Sequence, residues 1–417
     1  MLRSVRKGLV RDSRGNMLAV AAGLMPLIVA SGAVAVDASH WVLQKRELQR
    51  AADSAALAGA FAKFQDQSAG SAVTESMTQY PNLTLTGLPE VEDGPASGPF
   101  AADATAVRVN LQRRGTVSFL SMFRSDPILI NATATAAATP YAKYCMLSLV
   151  NDATAGFHFE GSTNLDLDCG LATNSTGSPA MTVAGSSSVI RTTEASAVGG
   201  LTQYPNFQGS PTFLPAQPAQ PDPYEDLPLP PTSSCSPALV SGGGATANLT
   251  GGCWSGGMEI TGNANFAPGT YVINGGTLRF GGSGTITGTG VTFVLTGPTP
   301  ATVAKLVIDG STRVTLSAPT SGTYEGVLFY QNRTAATLAS GGGENINYVT
   351  GSSNLSITGT MYFPNQRLNY TGSGALRSSC TRVVARRINF SGSSGAFSGG
   401  CTSTDKDLHG KRVRLVT

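Results

Sequence analysis

The sequence predicts a mainly β protein carried on an N-terminal transmembrane helix, and three observations lead there. Residues 17–36 hold no charged side chain; the chain has 50 glycines and only 13% charged residues; and beyond residue 141 apolar side chains alternate in short runs that turn at glycine. Twenty uncharged residues make about 30 Å of helix, the hydrocarbon thickness of a bilayer. Glycine-punctuated alternation marks short strands, and the low charge argues against a helical enzyme.

Residues 1–16 form a basic cytoplasmic segment, with Arg3, Arg6, Lys7, Arg11 and Arg14 set against Asp12. They contribute +4 to a formal net charge of +3, so the remainder is about neutral and nucleic acid is not an expected partner. Residues 17–36 are the transmembrane helix. A cleaved signal peptide is the alternative, because Ala33-Val34-Ala35 imitates a cleavage site, but the apolar run exceeds the usual signal core. Basic residues before the span and mixed charges after it (Asp37, Lys45, Arg46, Glu47, Arg50) put the N-terminus in the cytoplasm and the bulk outside. Residues 37–64 continue as an amphipathic, alanine-rich stalk helix. Trp41, Leu48, Ala52, Ala55, Gly59 and Ala62 recur on one face, where small side chains permit close approach. Their neighbour is either the protein's own outer domain or another subunit.

Between residues 65 and 140 the pattern turns to alternation, as in "AVRVNLQ" and "PILINATATAAA", separated by "GTVSFLSMF", which fits a short helix. That order reads as a small α+β unit. The pair Arg113-Arg114 at a strand end is expected to be solvated rather than a partner patch.

Residues 141–417 carry strands of two to five residues with apolar side chains at alternate positions, as in "MEITGNANFAPGTYVINGGTLRFGG". Such repetition suits a right-handed parallel β-helix, each coil adding a rung; a β-sandwich is the alternative, with longer strands and more regular hairpins. Residues 214–232, "LPAQPAQPDPYEDLPLPPT", hold too much proline for a rung and form an extended linker or a strap across the solenoid. The six cysteines suit an oxidising compartment. Cys145 with Cys169, Cys235 with Cys253, and Cys380 with Cys401 are each about one coil apart, so stacked coils bring these partners together. A zinc site is not expected, because no Cys-x-x-Cys exists and no histidine lies near any pair.

The segment "RDSRGNMLAVAAGLMPLIVASGAVAVDASHWVLQKRELQRAADSAALAGA", residues 11–60, resembles the N-terminal segment of TadG-like proteins of Flp (Tad) pilus assembly. The Arg-Gly-Asn entry, Pro26 within the span, Val36-Asp37 at its end and the run Leu-Gln-Arg-Ala-Ala-Asp-Ser-Ala-Ala-Leu-Ala carry the match. It covers roughly the first seventy residues. The resemblance implies a single-pass protein of the bacterial inner membrane, with pilus assembly proteins and the lipid bilayer as partners. Related minor-pilin-like members carry a glutamate five positions after the glycine at which prepilin peptidase cuts. Counting from Gly15, that position is Val20, so cleavage there is not expected.

Chemistry is sparse. A β-helix enzyme acting on acidic sugars needs clustered carboxylates, yet Glu259, Asp309, Glu325 and Glu344 stand well apart in sequence. Asp166 and Asp168 share a strand face as an exposed ladder rather than a metal site. "DGSTR" at Asp309 lacks the Asp-x-Ser-x-Ser of a metal-dependent adhesion site. His40, His158 and His409 have no nucleophile motif. No catalytic, cofactor or metal site is therefore expected. Tyr330, Tyr362 and Tyr370, within "GVLFYQNR" and "MYFPNQRLNY", are candidates for stacking on a surface glycan or a protein partner. The reading is an outward-facing structural or assembly component of a Flp (Tad) type pilus that acts by protein contacts. The alternatives are an anchored carbohydrate-binding adhesin and a β-helix polysaccharide lyase or hydrolase.

Overall fold

The computed structural model describes residues 16–65, 67–98, 100–115, 119, 126–339, 341–351, 355–372, 375–378, 380–398 and 409–416. The basic cluster Arg3 to Arg14, Cys401 and most of the "GTVSFLSMF" stretch lie outside them. The chain divides into two units, Met1–Thr139 with Arg412–Thr417, and Pro140–Lys411. The end of the chain thus belongs to the first unit, where the sequence placed it in the solenoid.

The first unit packs a long helix, Asn16–Phe64, and a short one, Ala69–Met77, on one face of an antiparallel sheet. Its strands β1 (Glu90–Asp93), β2 (Val107–Gly115) and β3 (Ile128–Ser148) pair in that order. The buried side chains of β2 and β3 alternate: Val107, Val109 and Leu111 against Ile130, Ala132, Ala134 and Ala136. Period-two burial leaves one face of the sheet for the helices. The final strand, His409–Leu415, lies beside β3, with Val416 N–H donating to Thr135 O at 2.8 Å.

The second unit is a closed, helix-like parallel sheet with three ladders. On one face a single column runs Cys253, Val272, Val294, Tyr330, Tyr362, Val384, Leu147, Ala172 and Ser196, each residue paired with the next. On the second face the column is Phe280, Ile308, Val349, Tyr370, Phe390, Phe159 and Val183. The third face carries Phe266, Gly288, Leu316 and Ile357, and farther along Leu376, Ala396, Leu165, Ile190 and Phe207. Parallel ladders replace the antiparallel pairing that a β-sandwich requires. Inward rings stack from coil to coil, as Phe293 does on Phe329 with centroids 5.4 Å apart.

The coils do not stack in sequence order. Residues 383–385 pair with Met146, Leu147 and Ser148, and Ile388, Asn389 and Phe390 with Phe157, His158 and Phe159. The chain therefore enters the solenoid in its middle, winds to Leu214, and returns to the far end to start again at Ser236. An aromatic column crosses this joint unbroken, from Tyr370 to Phe390 (5.6 Å) to Phe159 (5.9 Å). Tyr370 is thus a core residue, buried to 1%, and not a surface stacking site.

The proline-rich residues make the return journey. Gln217 N–H donates to Ala197 O, Gln220 exchanges two hydrogen bonds with Asn174, Tyr362 donates to Asp222 (2.7 Å), Tyr330 to Leu227 O (2.9 Å) and Tyr324 to Pro228 O (2.5 Å). Apart from a turn in which Leu227 N–H donates to Tyr224 O (3.2 Å), the strap is extended, and an extended proline chain makes no internal hydrogen bonds, so carbonyls such as Pro228 O are left to accept these donors. Beneath it Tyr330 stacks on Tyr362 (5.1 Å), and Tyr224 of the strap meets Tyr362 edge-on (5.3 Å). Tyr330 and Tyr362, two of the three tyrosines named from sequence as glycan or partner contacts, are therefore covered by the chain itself. The unbroken burial of Val291–Thr296 and Val327–Gln331 has the same cause: one face packs inward and the other packs under the strap.

Two disulfides join neighbouring rungs, Cys145–Cys169 and Cys235–Cys253; Cys380 is also disulfide-bonded. The second bridge fastens the end of the strap across 18 residues of sequence. Replacing both Cys235 and Cys253 by serine should lower stability by about 3 kcal/mol in chemical denaturation, the loop-closure value for a bridge of that span.

Burial holds the Asp222 carboxyl above its usual range, against the hydrogen bonds from Tyr362 and the Tyr224 amide. A group raised in the folded state contributes most below its unfolded pKa and loses that contribution as pH rises through the folded value. Asp222→Asn, which stays neutral, should therefore gain stability relative to the native protein as pH rises from acid to neutral, read as the difference in Tm across a pH series.

Candidate functional site

The long helix has 49 residues in one unbroken run, with Pro26 inside it, and spans roughly 74 Å. Its two halves meet different surroundings. Val20, Leu24, Met25, Leu27, Ile28, Val29, Val34 and Val36 are exposed, and the helix is long and apolar enough to cross a membrane. Farther on, Leu48, Ala51, Ala52, Ala55, Ala56 and Ala60 are completely buried. The alanine-rich stretch is therefore seated in its own unit rather than standing free as a stalk. Alanine suits this seat because it favours the helix and lets the sheet come close.

Of the six predicted packing residues, five lie in this seat: Leu48, Ala52, Ala55, Gly59 and Ala62 are buried. Trp41 is not among them and remains exposed. Gly59 marks the tightest approach, since a Cβ there would stand 2.9 Å from Val107 Cγ1 and 3.1 Å from Val73 Cγ2.

Polar groups fix the height of the helix against β3. Lys45 donates to Asn131 O, and Gln49 donates to Thr133 O (3.0 Å) and to Asp53 (2.8 Å). Glu47 pairs with Arg113 at 2.8 Å, so Arg113 is held in an ion pair where the sequence placed it in solvent; Arg114 is exposed. At the end of the uncharged run Asp37 is buried, and its carboxylate accepts the backbone N–H of Phe119 (3.0 and 3.2 Å). From sequence Asp37 and Lys45 entered only as charges after the span and Gln49 not at all, because their partners lie some 80 residues away.

Of the solenoid carboxylates named from sequence, Glu259, Asp309 and Glu344 are held by arginines. Arg279 pairs with Glu259 (3.2 Å) and Asp309 (2.9 Å), and Glu344 takes Arg367, Arg386 and Arg387 at 2.8 to 3.0 Å. Asp166 and Asp168 are exposed. Asp168 comes near Cys145 and Cys169, but those sulfurs are bonded to each other and offer no thiolate to a metal. His158 bridges Thr182 (2.6 Å) and Glu160 (2.5 Å) on an outward rung.

Gly59→Leu should force apart the helix, the short helix and β2. A loss of about 1–3 kcal/mol is expected from overpacking. Thermal unfolding of the full chain in detergent measures it; an unchanged Tm would show that the seat is loose.

No curated protein and no solved structure matches the chain. A family model does, and the residues it covers, 15–63, take in both the exposed apolar half of the long helix and its seated half. The described geometry and this match coincide on one element: residues 15–63 match the family model of Flp pilus-assembly TadE/G-like proteins.

Proposed function

We propose that the protein is a structural or assembly component of a Flp (Tad) type pilus, anchored in the bacterial inner membrane by its long helix and acting through protein contacts. One observation carries the reading: the pilus-assembly segment coincides with a helix that exposes apolar side chains over its first half and buries small ones over its second. The N-terminus lies in the cytoplasm and both units lie outside, following the charge bias around the span. Disulfides in the outer unit fit that side of the membrane. The coils wind right-handed, the hand of nearly all parallel crossover connections. The protein is not an enzyme on this reading, since Glu259, Asp309 and Glu344 of its solenoid are engaged by arginines. Other proteins of the pilus machinery are its partners.

The test is made in intact cells. Deleting the gene should abolish or sharply reduce surface pili, and a plasmid copy should restore them. N-terminal sequencing of the membrane fraction should give a start before residue 17. Normal piliation in the deletion strain would overturn the assembly role; a mature start near Val36 would overturn the anchor.

A further inference from the structure

Apolar exposure does not stop where the first unit begins. On the helix, Trp41 is 43% exposed and Leu43 is 62% exposed, beyond the uncharged run. Away from the helix, Phe119 (43%) and Leu129 (52%) are exposed too. Their levels along the helix axis follow from the hydrogen bonds already described. Between Lys45 and Gln49 the helix rises about 6 Å, and between Asn131 and Thr133 the strand rises about 6.6 Å, so helix and β3 advance in step. One further step towards the apolar run brings Leu129 level with Trp41. Phe119 lies lower still, because Asp37 holds its amide. Two cations belong to the same end: Arg46, exposed on the helix, and Arg114, exposed and paired directly across from Leu129. Of the acids in this region, Glu47 is already paired with Arg113, Asp37 is buried, and Asp126 is exposed.

We propose that this end of the first unit is a second membrane contact. Trp41, Leu43, Phe119 and Leu129 rest in the interfacial zone of the bilayer that the helix crosses, with Arg46 and Arg114 against lipid phosphates. The inference rests on the membrane reading above and adds to it a docked first unit in place of one held clear on a stalk. Lipid is the occupant because Trp41 and Leu43 continue the apolar half of the helix while Phe119 and Leu129 stand at the same end of the unit, and because an indole or phenyl ring flanked by guanidinium groups suits the boundary between headgroup and acyl chain. An apolar band at this level also needs cover once the helix brings it to the membrane.

The chain has two tryptophans, Trp41 and Trp254, so Trp254→Phe leaves Trp41 as the sole reporter. The full chain is reconstituted into phosphatidylcholine vesicles containing a minor share of phosphatidylglycerol, with bromines placed either shallow or deep in the acyl chains. Trp41 emission should fall more with shallow bromines than with deep ones. In a Trp41→Phe, Trp254→Phe background, Phe119→Trp and Leu129→Trp should also lose emission to shallow bromines and resist aqueous iodide. Emission at positions 119 and 129 that ignores the lipid and is quenched by iodide, in protein that still floats with vesicles, overturns the second contact and leaves the anchor intact. Protein that does not float overturns the membrane reading as well. Because Phe119 and Leu129 lie off the helix, a structural role in anchoring alone does not produce quenching there.

Discussion

Everything in the second unit depends on rungs that keep their hydrogen bonds across a break in the chain. Residues 383–385 are followed in space by Met146 to Ser148, more than two hundred positions away in sequence. A parallel ladder left open at that point would expose the backbone donors and acceptors of two coils in mid-solenoid. Instead Phe390 and Phe159 stack across it and the core continues. The strap then becomes a necessity of connectivity, because a chain that starts in the middle must travel back along the outside before it can wind the remaining coils. Its route decides which outward residues are apolar, and so the second core under Tyr224 and Leu227 follows from the joint.

The long helix meets a different constraint with similar means. Its first half exposes apolar side chains all round, as a helix long and apolar enough to cross a membrane would, whereas its second half needs only one close-packed face. Asp37 stands at the change of solvent and uses its carboxylate to hold a loop amide, so that a charge placed there has a partner within the protein.

What was readable from sequence follows the range over which each signal acts. The span was legible because complete absence of charge over twenty residues is a local fact. Parallel coils were legible from glycine turns and alternation, and two cysteine pairs from one-coil spacing, since partners on adjacent rungs are neighbours in sequence. The fate of the alanine face was not: Ala52 and Ala55 look the same whether they meet β2 of their own chain or a second subunit. Trp41 was grouped with them by helical period, but period cannot say where the seat begins. Tyr330, Tyr362 and Tyr370 looked like surface aromatics because neither the strap that covers two of them nor the joint that places the third inside leaves a local pattern.

Proline has a further consequence at the two ends of the solenoid. Pro211 and Pro215 bracket the last rung, Thr212–Leu214, and Pro237 sits in the first, Ser236–Ser241, with a break of register just after it. Pro237 removes an N–H within the first rung and Pro211 and Pro215 remove one at either end of the last; among the described strands these two rungs pair on one side only, so the prolines weaken the template that an open parallel edge presents to foreign strands. Open edges at high concentration would otherwise invite coil to add to coil. The same residue type that lets the strap lie flat thus also keeps each solenoid finite, and any ordered association must be made through side surfaces rather than by lengthening the sheet.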